Sequence, residues 1–164
     1  MSLSIFVSYS SHDLEHVGAL QVELQDTPIS VYVAEHSLQP GTGINEAIKR
    51  SIAEADAFVL VWSNNARASE WVLQELGQAL VLQKPVLPIV LDSGLRLPAS
   101  ISNLKFISFA ENPGGALKIA REFLYSNYLA RRSQLAAAAK AQEESDTLVK
   151  LGLAGLAVWL FTRK

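Results

Sequence analysis

Within Ser69-Glu70-Trp71-Val72-Leu73-Gln74-Glu75-Leu76, an aromatic and a carboxylate stand four residues apart at the start of a segment with helical period. On a helix, Trp71 and Glu75 share a face one turn apart and can act on one ligand. An indole offers a stacking surface, and a carboxylate can grip hydroxyls or a developing positive charge. The plainer reading of the same spacing is a half-buried ring beside a solvated acid. Glu70 lies about 100° round the helix from Trp71 and reads as a first-turn acid favoured by the helix dipole.

The rest of the chain decides between these readings by what it contains and lacks. Its 164 residues, 49% of them apolar, suffice for one compact domain and an appendage. A net charge of −2 offers no nucleic-acid surface. Cysteine is absent, which removes disulfides, thiol nucleophiles and thiolate zinc sites together. His12, His16 and His36 are the only histidines and form no metal-ligand pattern, so no metal site is expected. The start of the chain, with Leu3-Ser4-Ile5-Phe6-Val7, reads as a first strand rather than a signal peptide.

Short apolar runs alternate with longer stretches of helical period, the pattern of a βαβ protein. Leu3–Val7, Ile29–Val33, Ala57–Trp62, Val86–Leu91 and Lys105–Phe109 are the expected strands. Between them, Val17, Leu20, Val22 and Leu24 mark one helix, Ile44 to Ala55 a second and Trp71 to Leu80 a third; Leu97–Ile101 has room for a single turn, and Ala116–Tyr128 makes a final helix. Strands rich in Val, Ile and Leu without polar alternation suit a parallel sheet covered on both faces and joined by right-handed crossovers. The expected fold is α/β: a flavodoxin-like three-layer sandwich with a five-stranded parallel sheet and a C-terminal helical tail.

Ligands of such folds bind beyond the carboxyl ends of the strands. Three segments meet there: Ser8-Tyr9-Ser10-Ser11-His12-Asp13, the Pro/Gly loop Ala34 to Gly43, and Ser63-Asn64-Asn65 before Trp71 and Glu75. Asp13 reads as a cap for the following helix. The acids that a phosphate-accepting receiver domain needs are replaced by Ser8, Tyr9, Ser63 and Asn64, the glycine loop of a flavodoxin is missing after the first strand, and no G-x-G-x-x-G is present.

These residues resemble the Toll/interleukin-1 receptor (TIR) domain family in its prokaryotic form. Ile5-Phe6-Val7-Ser8-Tyr9-Ser10 with Asp13 is similar to the first box of the family, Pro40-Gly41 with the helix Ile44–Ile52 to the second, and Ser69-x-Trp71-Val72-x-x-Glu75-Leu76 followed by Lys84-Pro85-Val86-Leu87-Pro88-Ile89 to its third helix and fourth strand. The resemblance covers residues 3–128, and it implies a TIR domain over residues 1–128. Many members of the family cleave NAD⁺ at the nicotinamide glycosidic bond, giving linear or cyclic ADP-ribose, and the resemblance places their essential glutamate at Glu75. NAD⁺ is then substrate, and no cofactor is implied. Nicotinamide leaves as a neutral molecule from a cationic nucleotide, so the enzyme supplies chiefly stabilisation of the oxocarbenium-like ribose. Trp71, Ser8, Tyr9 and Ser10 become substrate contacts. The resemblance further implies an assembly loop containing His36, Pro40 and Gly41, a homo-oligomer or filament built through TIR–TIR contacts, and a role in defence signalling; the alternative is a non-catalytic adaptor working through the same contacts. Before Pro40-Gly41 the family often carries arginine or aspartate, where this chain has Glu35, His36, Ser37 and Gln39.

Residues 129–147 are rich in alanine and charge and read as a solvated helical linker. Residues 148–164 form an apolar segment ending in Arg163-Lys164. Its uninterrupted run Leu151–Phe161, at about 1.5 Å per residue, covers roughly half of a bilayer's hydrocarbon core. Membrane contact, packing against other subunits through Gly152 and Gly155, and folding back on the domain are all open; the expected location is cytoplasmic, with membrane association through this tail as an option.

Overall fold

The structure, a computed structural model, describes residues 2–33 and 44–161. The chain divides into two units, residues 1–126 and 127–164. The first is built on five parallel strands, β1 (Leu3–Ser8), β2 (Ile29–Val33), β3 (Ala57–Trp62), β4 (Val86–Val90) and β5 (Ile107–Ser108), in the order β2-β1-β3-β4-β5. The helices are α1 (Leu14–Leu24), α2 (Ile44–Glu54), α3 (Asn64–Ala68), α4 (Glu70–Val81) and α5 (Ala116–Phe161), with single 3₁₀ turns at Ser11–Asp13 and Ala99–Ile101. This is the expected flavodoxin-like architecture, and the strand order reverses direction between β1 and β3, which makes their carboxyl ends the natural ligand crevice.

Continuous apolar runs become strands here because both faces of the sheet are covered. Phe6, Phe58, Leu60 and Trp62 pack with Ile48 and Ile52 of α2 and Val72, Leu76 and Ala79 of α4 in one buried cluster. Alternate strand residues Ile5, Val7, Val59 and Val61 turn to the other face and are equally buried, as are Val17, Leu20 and Leu24 of α1 and Ala116, Ala120 and Leu124 of α5. Arg121 of α5 pairs with Glu23 of α1 at 3.2 Å on that side. Val22, marked from sequence with the α1 stripe, is exposed; Val17, Leu20 and Leu24 already complete the inward face at spacings of three and four.

Polar groups fix the ends of the elements. Asp56 ties the entry to β3 onto β1, its main-chain N–H donating to the Ser4 carbonyl at 2.7 Å and its carboxylate accepting the Ser4 N–H at 2.9 Å. The Lys84 ammonium donates to the carbonyls of Ala53 and Ala55, satisfying the carboxyl end of α2. The Trp62 indole N–H donates to the Arg96 carbonyl at 3.0 Å, pinning the loop after β4.

Three elements differ most from the sequence reading. β5 shrinks to Ile107–Ser108 because it is an edge strand paired only with β4 through two residues. A five-residue helix, α3, occupies what reads as a turn before Trp71. The helix that begins at Ala116 does not stop at Tyr128 but runs to Phe161; the last proline of the chain is Pro113, so no residue removes a backbone donor along the way. Residues 129–144 are exposed along this helix. Among the described residues no helix is long and apolar enough to cross a membrane.

Candidate functional site

At the carboxyl end of β1, the Ser8 hydroxyl donates to Glu75 Oε2 at 2.5 Å. Both groups are buried, Ser8 fully and Glu75 with 2% of its surface exposed. The cause lies in the α4 sequence. Ser69 caps the helix, its hydroxyl accepting the Val72 N–H at 3.4 Å, and so sets which residues face inward. The buried positions of α4 are Val72, Glu75, Leu76 and Ala79, a stripe at spacings of three, one and three in which a carboxylate takes an apolar place. Burial pushes the Glu75 carboxyl up from its ordinary 4.5 to about 7, while the hydrogen bond from Ser8 acts in the opposite sense. The solvated-acid reading of Glu75 is therefore excluded.

A second buried carboxylate organises the neighbouring loops. Asp13 occupies the residue before α1, yet makes no side-chain capping bond to that helix. Its Oδ2 accepts the Ser63 hydroxyl at 2.5 Å and its Oδ1 accepts the Asn65 side-chain amide at 3.2 Å. The expectation that Asp13 is a helix cap is corrected: the donors beyond β3, some fifty residues away, capture both oxygens. Ser63 is itself the cap of α3, accepting the Ala66 N–H at 2.9 Å. From the other side, the Asp92 carboxylate accepts the Asn64 N–H at 2.6 Å and its side-chain amide at 2.9 Å.

Between these loops lies a cavity of about 320 Å³ lined by Ser10, Ser11, His12, Asn65, Ala68, Ser69 and Trp71. Its walls are hydroxyls, an amide and an imidazole with one indole, a surface suited to a polar ligand carrying a flat ring. Of the residues singled out from sequence, Trp71 and Ser10 line it. The Trp71 ring is 37% exposed, and Ser10 accepts the His12 N–H at 3.4 Å. Tyr9 is buried outside the lining. Ser8 and Glu75 are likewise outside the lining, Glu75 one helical turn beyond Trp71 on α4. The assembly loop with His36, Pro40 and Gly41 lies outside the described residues. Among the described residues, no group of three or more His, Asp or Glu side chains is placed to hold a metal.

Sequence reasoning missed Asp13 as a cross-loop acceptor and Ser69 as both cap and cavity wall. The Ser-x-x-Val start of α4 carried the cap signal; nothing local carried the Asp13 contact. The burial of Glu75 was signalled by the apolar residues three before it, one after it and four after it.

The family profile described as TIR domain matches residues 5–122. No match was found among curated proteins. Among solved structures, the fold is similar to the TIR domain of the Toll-related receptor TRR-2 from Hydra magnipapillata, at a TM-score of 0.56 and 17% identity over 78% of this chain and 95% of that one. It is equally similar to a prokaryotic SEFIR domain, at a TM-score of 0.56 and 17% identity over 76% of this chain and 93% of that one. The profile match over most of the chain shows that this chain belongs to the TIR domain family.

Proposed function

We propose that the chain cleaves NAD⁺ at the nicotinamide N-glycosidic bond, releasing nicotinamide and linear or cyclic ADP-ribose, with Glu75 as the catalytic carboxylate. The observation that carries this reading is the buried Ser8–Glu75 pair at the ligand edge of the sheet, on the helix that also presents Trp71 to the cavity. A carboxylate held in a dry site stabilises an oxocarbenium-like ribose far more strongly than one in water. The leaving group departs neutral, so no partner acid is needed and one carboxylate suffices. Ser8 holds the Glu75 oxygen in one orientation and favours its ionised form. An approaching cationic nicotinamide ring favours that form further. Trp71 stacks on the ligand and keeps water from the reacting face, while Ser10, Asn65 and Ser69 supply contacts to its hydroxyls or phosphates.

Assembly through TIR–TIR contacts, with the loop that holds His36, Pro40 and Gly41, is proposed to switch the activity on. The tail is proposed to concentrate the domain, through membrane contact or through packing between copies. Gel filtration of the full chain against a chain ending at Tyr128, with and without detergent, tests this; identical monomeric behaviour of both removes it. The biological setting proposed is prokaryotic defence through NAD⁺ depletion or an ADP-ribose signal.

One observation favours the non-catalytic adaptor: Glu75 is buried and does not line the cavity, as a carboxylate with a purely structural role would be. Incubating concentrated full-length protein and Glu75→Ala with NAD⁺ separates the two. Release of nicotinamide by the first alone supports catalysis; equal release, or none at any concentration, leaves the adaptor.

A further inference from the structure

The two walls of the cavity come from loops that share no secondary structure. Ser10, Ser11 and His12 follow β1; Asn65, Ala68, Ser69 and Trp71 follow β3. The second wall rests on α3, whose five residues are too few to hold a helix by backbone hydrogen bonds alone. Side chains hold it instead. Asp92 grips Asn64 from the β4 side, and Asp13 reaches from the end of the first wall to Ser63 and Asn65 in the second. Asp13 has only 5% of its surface exposed, and although it stands at the start of α1 its side chain makes no capping bond to that helix.

We propose that Asp13 is the positioning residue of this cavity: its single carboxylate, accepting from Ser63 and Asn65, sets the separation of the two walls and thereby the fit of the dinucleotide between them. It touches no reacting atom and acts through Asn65, which both lines the cavity and donates to it. A carboxylate is required because both oxygens accept; the isosteric amide offers one acceptor and sets a donor against one of its partners. The catalytic pair Ser8–Glu75 is joined by its own hydrogen bond and not by these. Loss of Asp13 therefore weakens substrate fit before it touches chemistry. This inference rests on the NAD⁺-cleaving reading for its ligand, but not for its geometry.

The test uses the full chain with Asp13→Asn, Asp13→Ala and Ser63→Ala, read in two ways. Amide hydrogen exchange of the ligand-free protein is expected to quicken by about tenfold in residues 10–13 and 63–68 of Asp13→Asn, with β1 and β3 unchanged. The KM for NAD⁺ in nicotinamide release is expected to rise about tenfold while kcat stays within about threefold. Ser63→Ala, which keeps the Asn65 bond but also removes the cap of α3, is expected to shift both readouts in the same direction, and Asp13→Asn carries the decision should Asp13→Ala not fold. Unchanged exchange in both loops overturns the proposal, as does a loss confined to kcat. Faster exchange throughout the sheet with KM unaltered also overturns it, since that is general destabilisation. Should the unaltered chain release no nicotinamide, the glycohydrolase reading falls and the exchange pattern alone decides the role of Asp13.

Discussion

Asp13 and Glu75 are both buried carboxylates at the carboxyl edge of one sheet, and the sequence surrounds them very differently. Asp13 leaves a strand end among hydroxyls and amides, and two side-chain donors reach it from across the crevice. Glu75 sits in the apolar stripe of α4 between Val72, Leu76 and Ala79, and burial raises its carboxyl to about 7 despite the hydroxyl of Ser8. The difference shows how one side-chain chemistry serves two ends: donors on both oxygens make a carboxylate a clamp, whereas desolvation makes it a group whose charge changes near neutrality.

Breaking the comparison at Glu75 carries the largest expected effect. Glu75→Gln keeps shape and loses charge, and nicotinamide release is expected to fall by about a thousandfold or more in steady-state assays with saturating NAD⁺. At Asp13 the loss is structural: Asp13→Ala leaves the buried Ser63 hydroxyl without its acceptor and frees the exposed Asn65 amide, and denaturant titration is expected to show a cost of about 2 kcal/mol.

The same comparison predicts opposite stability effects for the two acids. Glu75 holds its proton in the folded state up to about pH 7, against an ordinary value of 4.5, so folding binds a proton over that window. Stability contributed by the neutral form is present below about pH 4.5 and lost as pH rises to 7, beyond which the full penalty applies. Glu75→Gln is expected to leave stability at pH 4 nearly unchanged and to raise it at pH 8 by up to about 3 kcal/mol, measured by denaturant titration at both values. A smaller effect is expected from Ser8→Ala, which removes the hydrogen bond favouring the charged form. The rise of kcat/KM with pH, centred near 7 for the free protein, is expected to move to higher pH. Trp71→Ala is expected to raise the KM for NAD⁺ severalfold, on the order of 1 kcal/mol, with kcat less affected.

Much of the frame is legible in the residues themselves. Ala57–Trp62 is a continuous apolar run of strand length and Ile29–Val33 one broken only by Ser30, and the structure uses both at those limits. Short elements are less legible because few residues carry a period: α3 is one turn longer than a loop, and β5 keeps only Ile107–Ser108. The site divides in the same way. Glu75 stands out by type and spacing, and its place in an apolar stripe can be read from Val72, Leu76 and Ala79. The role of Asp13 cannot, because a local rule that makes aspartate a helix cap is overridden by Ser63 and Asn65, which only the pairing of β1 with β3 brings near.

The pH dependence of nicotinamide release by concentrated full-length protein, beside Glu75→Gln, tests the central claim most directly. The account predicts release that rises with pH through about 7 and is lower by about a thousandfold or more in Glu75→Gln. Equal release from both proteins, or none from either across pH 5 to 9, contradicts it.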